Sequence, residues 1–156
     1  MDNNFLSPIG FAFKVSNIPN VNFMVQGVRI PGMSLGSANM PTPFVPIHNP
    51  GNLQYGDLSV TFKVSADLTS YLEIFNWMNG LSRPDNYEQY KAQIPKQPDG
   101  TVIIYTGNKR AFMHAEFTNI FPTSISDLDF DSALTDVPYV PATATFSFDR
   151  MYFKPL

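Results

Sequence analysis

Two histidines and one short run of aspartates are the residues of this 156-residue chain whose types could do chemistry. His48 and His114 are candidates for holding a metal or moving a proton, but each stands alone. Neither has a second histidine or a carboxylate three or four positions away, the spacing that brings ligands together on a helix. Packing or surface roles are expected for both, and no metal. The aspartates open as Asp127-x-Asp129-x-Asp131, with Asp136 beyond. A calcium loop begins this way, yet position six holds Ser132 where a glycine should turn the chain. Position twelve holds Pro138 where a glutamate should close it. In a strand, a period of two would set Asp127, Asp129 and Asp131 on one face, with Leu128 and Phe130 on the other. Their chemistry is then electrostatic: a solvated strand face, or an acidic surface that turns away a polyanion. Nothing singles out two of them as a glycosidase pair.

Other routes to catalysis close on composition. The chain has no cysteine, so thiol nucleophiles, thiolate metal sites and disulfides are excluded. It contains no Gly-x-Ser-x-Gly elbow and no Gly-x-x-x-x-Gly-Lys-Ser/Thr phosphate loop. No enzyme activity and no cofactor are expected. The net charge is −3 and no Lys/Arg run occurs, so the chain is not built to grip nucleic acid through its phosphates. Charged residues are only 15 % while aromatics reach 14 %, with fourteen Phe, seven Tyr and one Trp. That is either a Phe-rich β core or a surface covered by partner chains, since large apolar patches are rarely left bare. Met1-Asp2-Asn3-Asn4 is neither basic nor followed by a long apolar run, so no signal peptide or membrane anchor is expected.

The elements that would carry these residues are mostly strands. Phe11, Phe13 and Val15 alternate with Ala12 and Lys14, Asn17 to Asn20 reads as a turn, and Val21 to Ile30 resumes extended structure with Phe23, Val25 and Val28 inward. Together these predict a hairpin. Leu58, Val60, Phe62 and Val64 alternate with Ser59, Thr61 and Lys63, the clearest strand in the chain. A helix is predicted over Leu68 to Asn79, capped by Asp67 and stopped by Gly80, with Leu68, Tyr71, Leu72, Phe75 and Met78 on one face and Ile74 and Trp77 widening it. Asp85 to Gln93 allows a second, short helix. Thr101 to Thr106 and Arg110 to Ile120 predict strands joined at Gly107-Asn108, which tolerates positive φ. Ser124 to Asp131 and Ala142 to Phe153 predict the last two.

Between them, Pro31 to Gly56 holds five prolines and four glycines, which disfavour a central strand. It also carries Met33, Leu35, Met40, Phe44, Val45 and Ile47, too apolar for a free linker. This segment is expected to project and to be ordered against another subunit. The fold class is mainly β (β+α): a small antiparallel β-barrel or sandwich with one main flanking helix and a long projecting loop, as a single domain over 1–156.

The order of these pieces resembles the tail tube protein family of contractile-tailed bacteriophages. The resemblance runs over Phe11 to Phe153 and is carried by "IPGMSLGS", "YGDLSVTFKVSADL", "YLEIFNWMNGL" and "NIFPTSISDLDFD". It implies self-assembly into hexameric rings that stack into a tube, with the arm at 31–56 reaching neighbouring subunits and the next ring. The implied partners are copies of itself, a tail sheath, the baseplate or hub, and a tape measure protein. DNA would pass through without specific binding during ejection. The implied place is the virion tail, after synthesis in the host cytoplasm. Asp127, Asp129 and Asp131 become candidates for an acidic lumen. Three other readings stay open: a baseplate protein that starts the tube or joins it to the hub, a type VI secretion tube protein, and a carbohydrate-binding or hydrolytic β domain with an exposed aromatic platform around Trp77 or the tyrosines.

Overall fold

A strand that packs one side and wets the other must alternate, and alternation dominates the chain. The computed structural model describes residues 5–83, 85–88, 98–136 and 139–156. The described elements are β1 (Phe11–Val15), α1 (Pro19–Met24), β2 (Val25–Arg29), β3 (Met33–Met40), β4 (Ile47–Tyr55), β5 (Leu58–Lys63), α2 (Thr69–Ser82), β6 (Gly100–Tyr105), β7 (Ala111–Thr118), β8 (Phe121–Ile125), β9 (Pro141–Ser147) and β10 (Arg150–Pro155). They make three antiparallel sheets. The first has the order β1-β6-β7-β10, the second β2-β5-β9-β8, and the third is the β3–β4 hairpin alone.

The core lies between the two four-stranded sheets. Phe13, Val15, Val102, Ala115 and Phe117 enter it from the first sheet, and Leu58, Val60, Phe62, Ala144 and Phe146 from the second. The Phe13 and Phe146 rings meet across the gap with centroids 6.0 Å apart. Both sheets are open, so among the described residues β1, β10, β2 and β8 each present an unpaired edge.

Two helices close one side. α1 starts at Pro19, where the missing N–H of proline costs nothing. Its free N–H groups are taken by Glu73 of α2: Asn20 N and Val21 N donate to Oε2 at 3.1 and 3.2 Å. Asn22 folds back on β1, accepting from Val15 N–H and donating to Val15 C=O. This helix replaces the first predicted hairpin: a proline-led turn of helix reads locally as a turn. β2 therefore pairs with β5 and not with β1, and Phe23 is 84 % exposed where it was expected inward.

α2 forms as expected but is rotated and capped differently. Its buried side chains are Ser70 and Ile74, with Tyr71, Trp77 and Met78 packed beside them, while Leu72 and Phe75 face outward. The N-cap is Leu68, held at φ 61°, and Gly80 lies buried inside the helix, which runs on to Ser82. Asp67 still helps, its Oδ1 accepting from Thr69 N–H at 3.2 Å. Positive φ in the β6–β7 turn falls on Lys109 and not on Gly107 or Asn108. The predicted final strand is two strands, β9 in the second sheet and β10 in the first, because the chain crosses between sheets at Phe148-Asp149. The short helix expected over Asp85 to Gln93 lies largely outside the described residues.

Candidate functional site

The projecting segment is a hairpin that buries almost nothing of itself. Every residue from Gly32 to Gln54 is exposed; Tyr55 at the root is half-buried and packs on Phe148, 5.5 Å between centroids. Its ladder continues that of β2 and β5, with Gly56 N donating to Gly32 O at 2.9 Å at the junction. A bulge lies between Leu35 and Ser37. There the backbones come so close that a Cβ on Gly51 would sit 2.9 Å from Gly36 O. At the tip Val45 N–H donates to Thr42 Oγ1 at 3.1 Å, and lower down Asn39 Oδ1 meets His48 Nδ1 across the strands at 2.5 Å. His48 is thus a hairpin residue bound to an amide.

All six predicted arm residues, Met33, Leu35, Met40, Phe44, Val45 and Ile47, are exposed, and Phe44 is 95 % so. Register sorts them onto two faces. Met33 and Leu35 oppose Tyr55 and Leu53 on one side, while beyond the bulge Met40 opposes Ile47 on the other. From Met33 to Tyr55 there is no Asp, Glu, Lys or Arg. An isolated two-stranded hairpin is marginal in water. A projecting pair of strands, eight and nine residues long, that is uncharged and shows apolar side chains on both faces is a surface made to be covered.

The second sheet shows a different surface on the side away from the core. With Leu58, Val60 and Phe62 inward, Ser59, Thr61 and Lys63 point out, and β9 adds Thr143, Thr145 and Ser147 beside them. Thr61 and Thr143 are cross-strand partners. The sequence held this signal, since "LSVTFK" and "PATATFS" alternate hydroxyl with apolar. Only the register places the two strands side by side.

At the end of this sheet remote from the hairpin, the chain leaves β5 at Lys63 and enters β9 at Pro141. Here the predicted acidic face dissolves. β8 stops at Ile125, after which Ser126 is drawn onto Thr143 by two hydrogen bonds, and 126–136 forms no strand. Asp127, Asp129 and Asp131 therefore share no strand face. All three are exposed, in a loop at the sheet's end, with Asp131 Oδ1 accepting from Ala133 N–H at 2.9 Å. Leu128 is drawn inward against the core while Phe130 is 81 % exposed.

His114 lies on β7 beside Glu116. Its Nε2 is 3.0 Å from Glu116 Oε1, and Lys154 Nζ of β10 is 2.7 Å from Oε2. The Lys154 ammonium, aided by His114, holds the Glu116 carboxyl below the usual range, and Glu116 raises Lys154 in return. The cluster is a surface ion pair with a histidine at its side. Among the described residues no three His, Cys, Asp or Glu side chains converge as a metal site would need. Trp77 packs edge-tilted on Phe146, 6.2 Å between centroids, so it serves the core and not a sugar platform. Among the described residues, no helix is long and apolar enough to cross a membrane.

Comparison with known proteins adds the family. A family model described as phage tail tube protein matches residues 3–154. No match was found among curated protein sequences. Among solved structures, a chain from the sheath–tube complex of the extracellular contractile injection system PVC, in the extended state, is 19 % identical. That match covers 99 % of this chain and 95 % of that one, at a TM-score of 0.73. A chain from the tube-terminating cap of the anti-feeding prophage is 11 % identical, covering 100 % and 95 %, at 0.74. A chain from the 6-fold symmetrised baseplate of the anti-feeding prophage is 11 % identical, covering 99 % and 97 %, at 0.62. At such identities the likeness is one of fold.

Proposed function

Because this chain belongs to the phage tail tube protein family, whose members are structural tube subunits and not enzymes, we propose that it forms hexameric rings that stack into a tail tube conducting DNA during ejection. The observation that carries this reading is the hairpin: a projecting, uncharged strand pair whose apolar side chains are exposed beyond Tyr55 at its root. Identical neighbours supply the missing cover. The open edges β2 and β8 pair between adjacent copies, a head-to-tail contact that closes into a ring when its rotation allows. Six copies of a four-stranded sheet make a wall of about 24 strands, roughly 115 Å around and ~37 Å across at the backbone, at ~4.8 Å per strand.

In this arrangement the hydroxyl face of the second sheet lines the channel. Hydroxyls hold water and give a passing polyanion neither an apolar surface nor a dense positive one to bind. Asp127, Asp129 and Asp131 belong to the rim of each ring and not to its wall. The chain is one folded unit over 1–156, made in the host cytoplasm and resident in the virion tail. Sheath, baseplate and tape measure are its proposed partners. The first two gain support from solved chains of similar fold that come from a sheath–tube complex and a baseplate.

Negative-stain microscopy of the purified protein tests the reading: hollow, ring-stacked tubes are expected, and a protein that stays monomeric at high concentration overturns it. A second reading, a ring that begins or ends the tube, draws on the likeness to a tube-terminating cap. Copy number separates the two, since a tube subunit is abundant in particles and an initiator is present as one ring.

A further inference from the structure

From Met33 to Tyr55 the hairpin holds no Asp, Glu, Lys or Arg, and its ionisable side chains are His48 and, at the root, Tyr55. Of the two types, only histidine ordinarily changes charge between about pH 5 and 8. His48 faces Asn39 across the strands, with Nδ1 2.5 Å from Oδ1. A carboxamide oxygen only accepts, so Nδ1 carries the hydrogen and Nε2 is where a second proton binds. We infer that His48 is a pH switch on assembly: neutral, it lets the arm be covered by another copy of this chain, and protonated, it opposes that cover. The inference rests on the tube reading above and adds to it the condition under which the tube forms.

Position and company give the sign of the effect. β3 keeps a period of two, so Asn39 lies on the face of Met33 and Leu35 and brings His48 onto it. Opposite His48, β3 offers Ala38, Asn39 and Met40, and on β4 it stands between Ile47 and Asn49. Among the described residues β4 pairs with β3 alone, and neither strand supplies a charge of either sign to the imidazole. In the single chain His48 is exposed, so water solvates its charged form. Covering the arm removes that water, and the hairpin has no carboxylate to offset the loss. The covered state therefore binds fewer protons than the free copy. Assembly releases protons, is strongest when His48 is already neutral, and weakens as pH falls through the histidine range. His114 serves as the internal control, because it lies on β7 beside Glu116 and Lys154, away from the hairpin.

The critical concentration for tube formation, read by pelleting across about pH 5 to 8, is the test. In the wild type it is expected to rise about tenfold or more toward the acid end, the effect of one pK unit at one contact, while circular dichroism shows the chain still folded. His48→Gln keeps a polar side chain and takes no charge, so its tubes should form equally well at both ends. His48→Lys should bring the acid behaviour to neutral pH. His114→Gln should keep the wild-type response. Three results overturn the inference and leave the tube reading standing: a wild type indifferent to pH, tubes that strengthen in acid as a carboxylate on the covering copy would cause, or a His48→Gln protein that responds as the wild type does or makes no tubes at neutral pH. A wild-type protein that builds neither rings nor tubes at any pH removes both.

Discussion

The hydroxyl oxygens of Thr61 and Thr143 lie 3.4 Å apart across β5 and β9. Around them the outer face of these two strands is Ser59, Thr145 and Ser147, ending in Lys63 and Pro141. Ser59, Thr61, Thr143, Thr145 and Ser147 are half-buried, and Lys63 and Pro141 are exposed. Such a face is polar and partly open to solvent, as a channel wall needs to be. Thr145→Cys gives the check. In assembled tubes a small maleimide entering from the ends should label it, whereas a maleimide carried on a large protein should be shut out. Both reagents should label unassembled protein. Equal access of the large reagent to tubes would place this face outside the channel.

The hairpin is expected to be dispensable for folding. It supplies no residue to the core, and Gly32 and Gly56 already lie one hydrogen bond apart at its root, 2.9 Å from N to O. Excising 33–55 leaves Gly32-Gly56 as a two-residue turn joining β2 and β5, a sequence suited to the turns that match strand twist. Urea unfolding should shift by about 1 kcal/mol, the loss confined to the half-buried Tyr55 ring on Phe148, while tubes disappear. A variant that unfolds, or one that still polymerises, contradicts the division of labour between body and arm.

Phe146 is the opposite case. It is fully buried and touches Phe13 of the other sheet and Trp77 of α2, so it ties three elements together. Phe146→Ala should cost about 3–5 kcal/mol, the range for deleting a buried ring and leaving a cavity. Trp77 fluorescence reports the urea transition from within the same cluster. A loss near ~1 kcal/mol or less would mean that the sheets hold together elsewhere.

What could be read from the residues follows from how local each signal is. β5 was legible because its core side and its hydroxyl side alternate within six residues. The arm was legible as an anomaly, apolar yet full of proline, though not as a paired hairpin. Pro50 fits its exposed strand because, among the described residues, no third strand pairs with β4 and needs the N–H it lacks. α1 was missed because six residues starting at proline look like a turn. The break at Phe148-Asp149 was missed because periodicity continues unchanged when a chain passes from one sheet to another packed against it. The hydroxyl face needed long-range register: Thr61 and Thr143 are 82 residues apart, as no local pattern records.

Acid should act on the entry to α2. Asp67 is solvated, yet its carboxyl is pulled from 3.8 to about 2, chiefly by side-chain hydrogen bonding with Thr69, then with Ser65, and by the Thr69 N–H. A carboxylate whose folded pKa lies below its unfolded value binds protons more readily in the unfolded chain. Its contribution is therefore complete above pH 3.8 and is lost as pH falls through about 2. Asp67→Asn removes the charge but keeps an acceptor oxygen, so it should be slightly less stable than wild type at neutral pH. The gap between the two urea midpoints should close as pH falls across that window. Full exposure of the group keeps the effect small, so paired titrations, and not single midpoints, are the right measurement. If the gap is constant with pH, Asp67 does not hold its charge at this turn, and the Ser65–Ser70 pair, with Ser65 N donating to Ser70 Oγ at 3.2 Å and Ser70 N to Ser65 Oγ at 3.3 Å, carries the helix start alone.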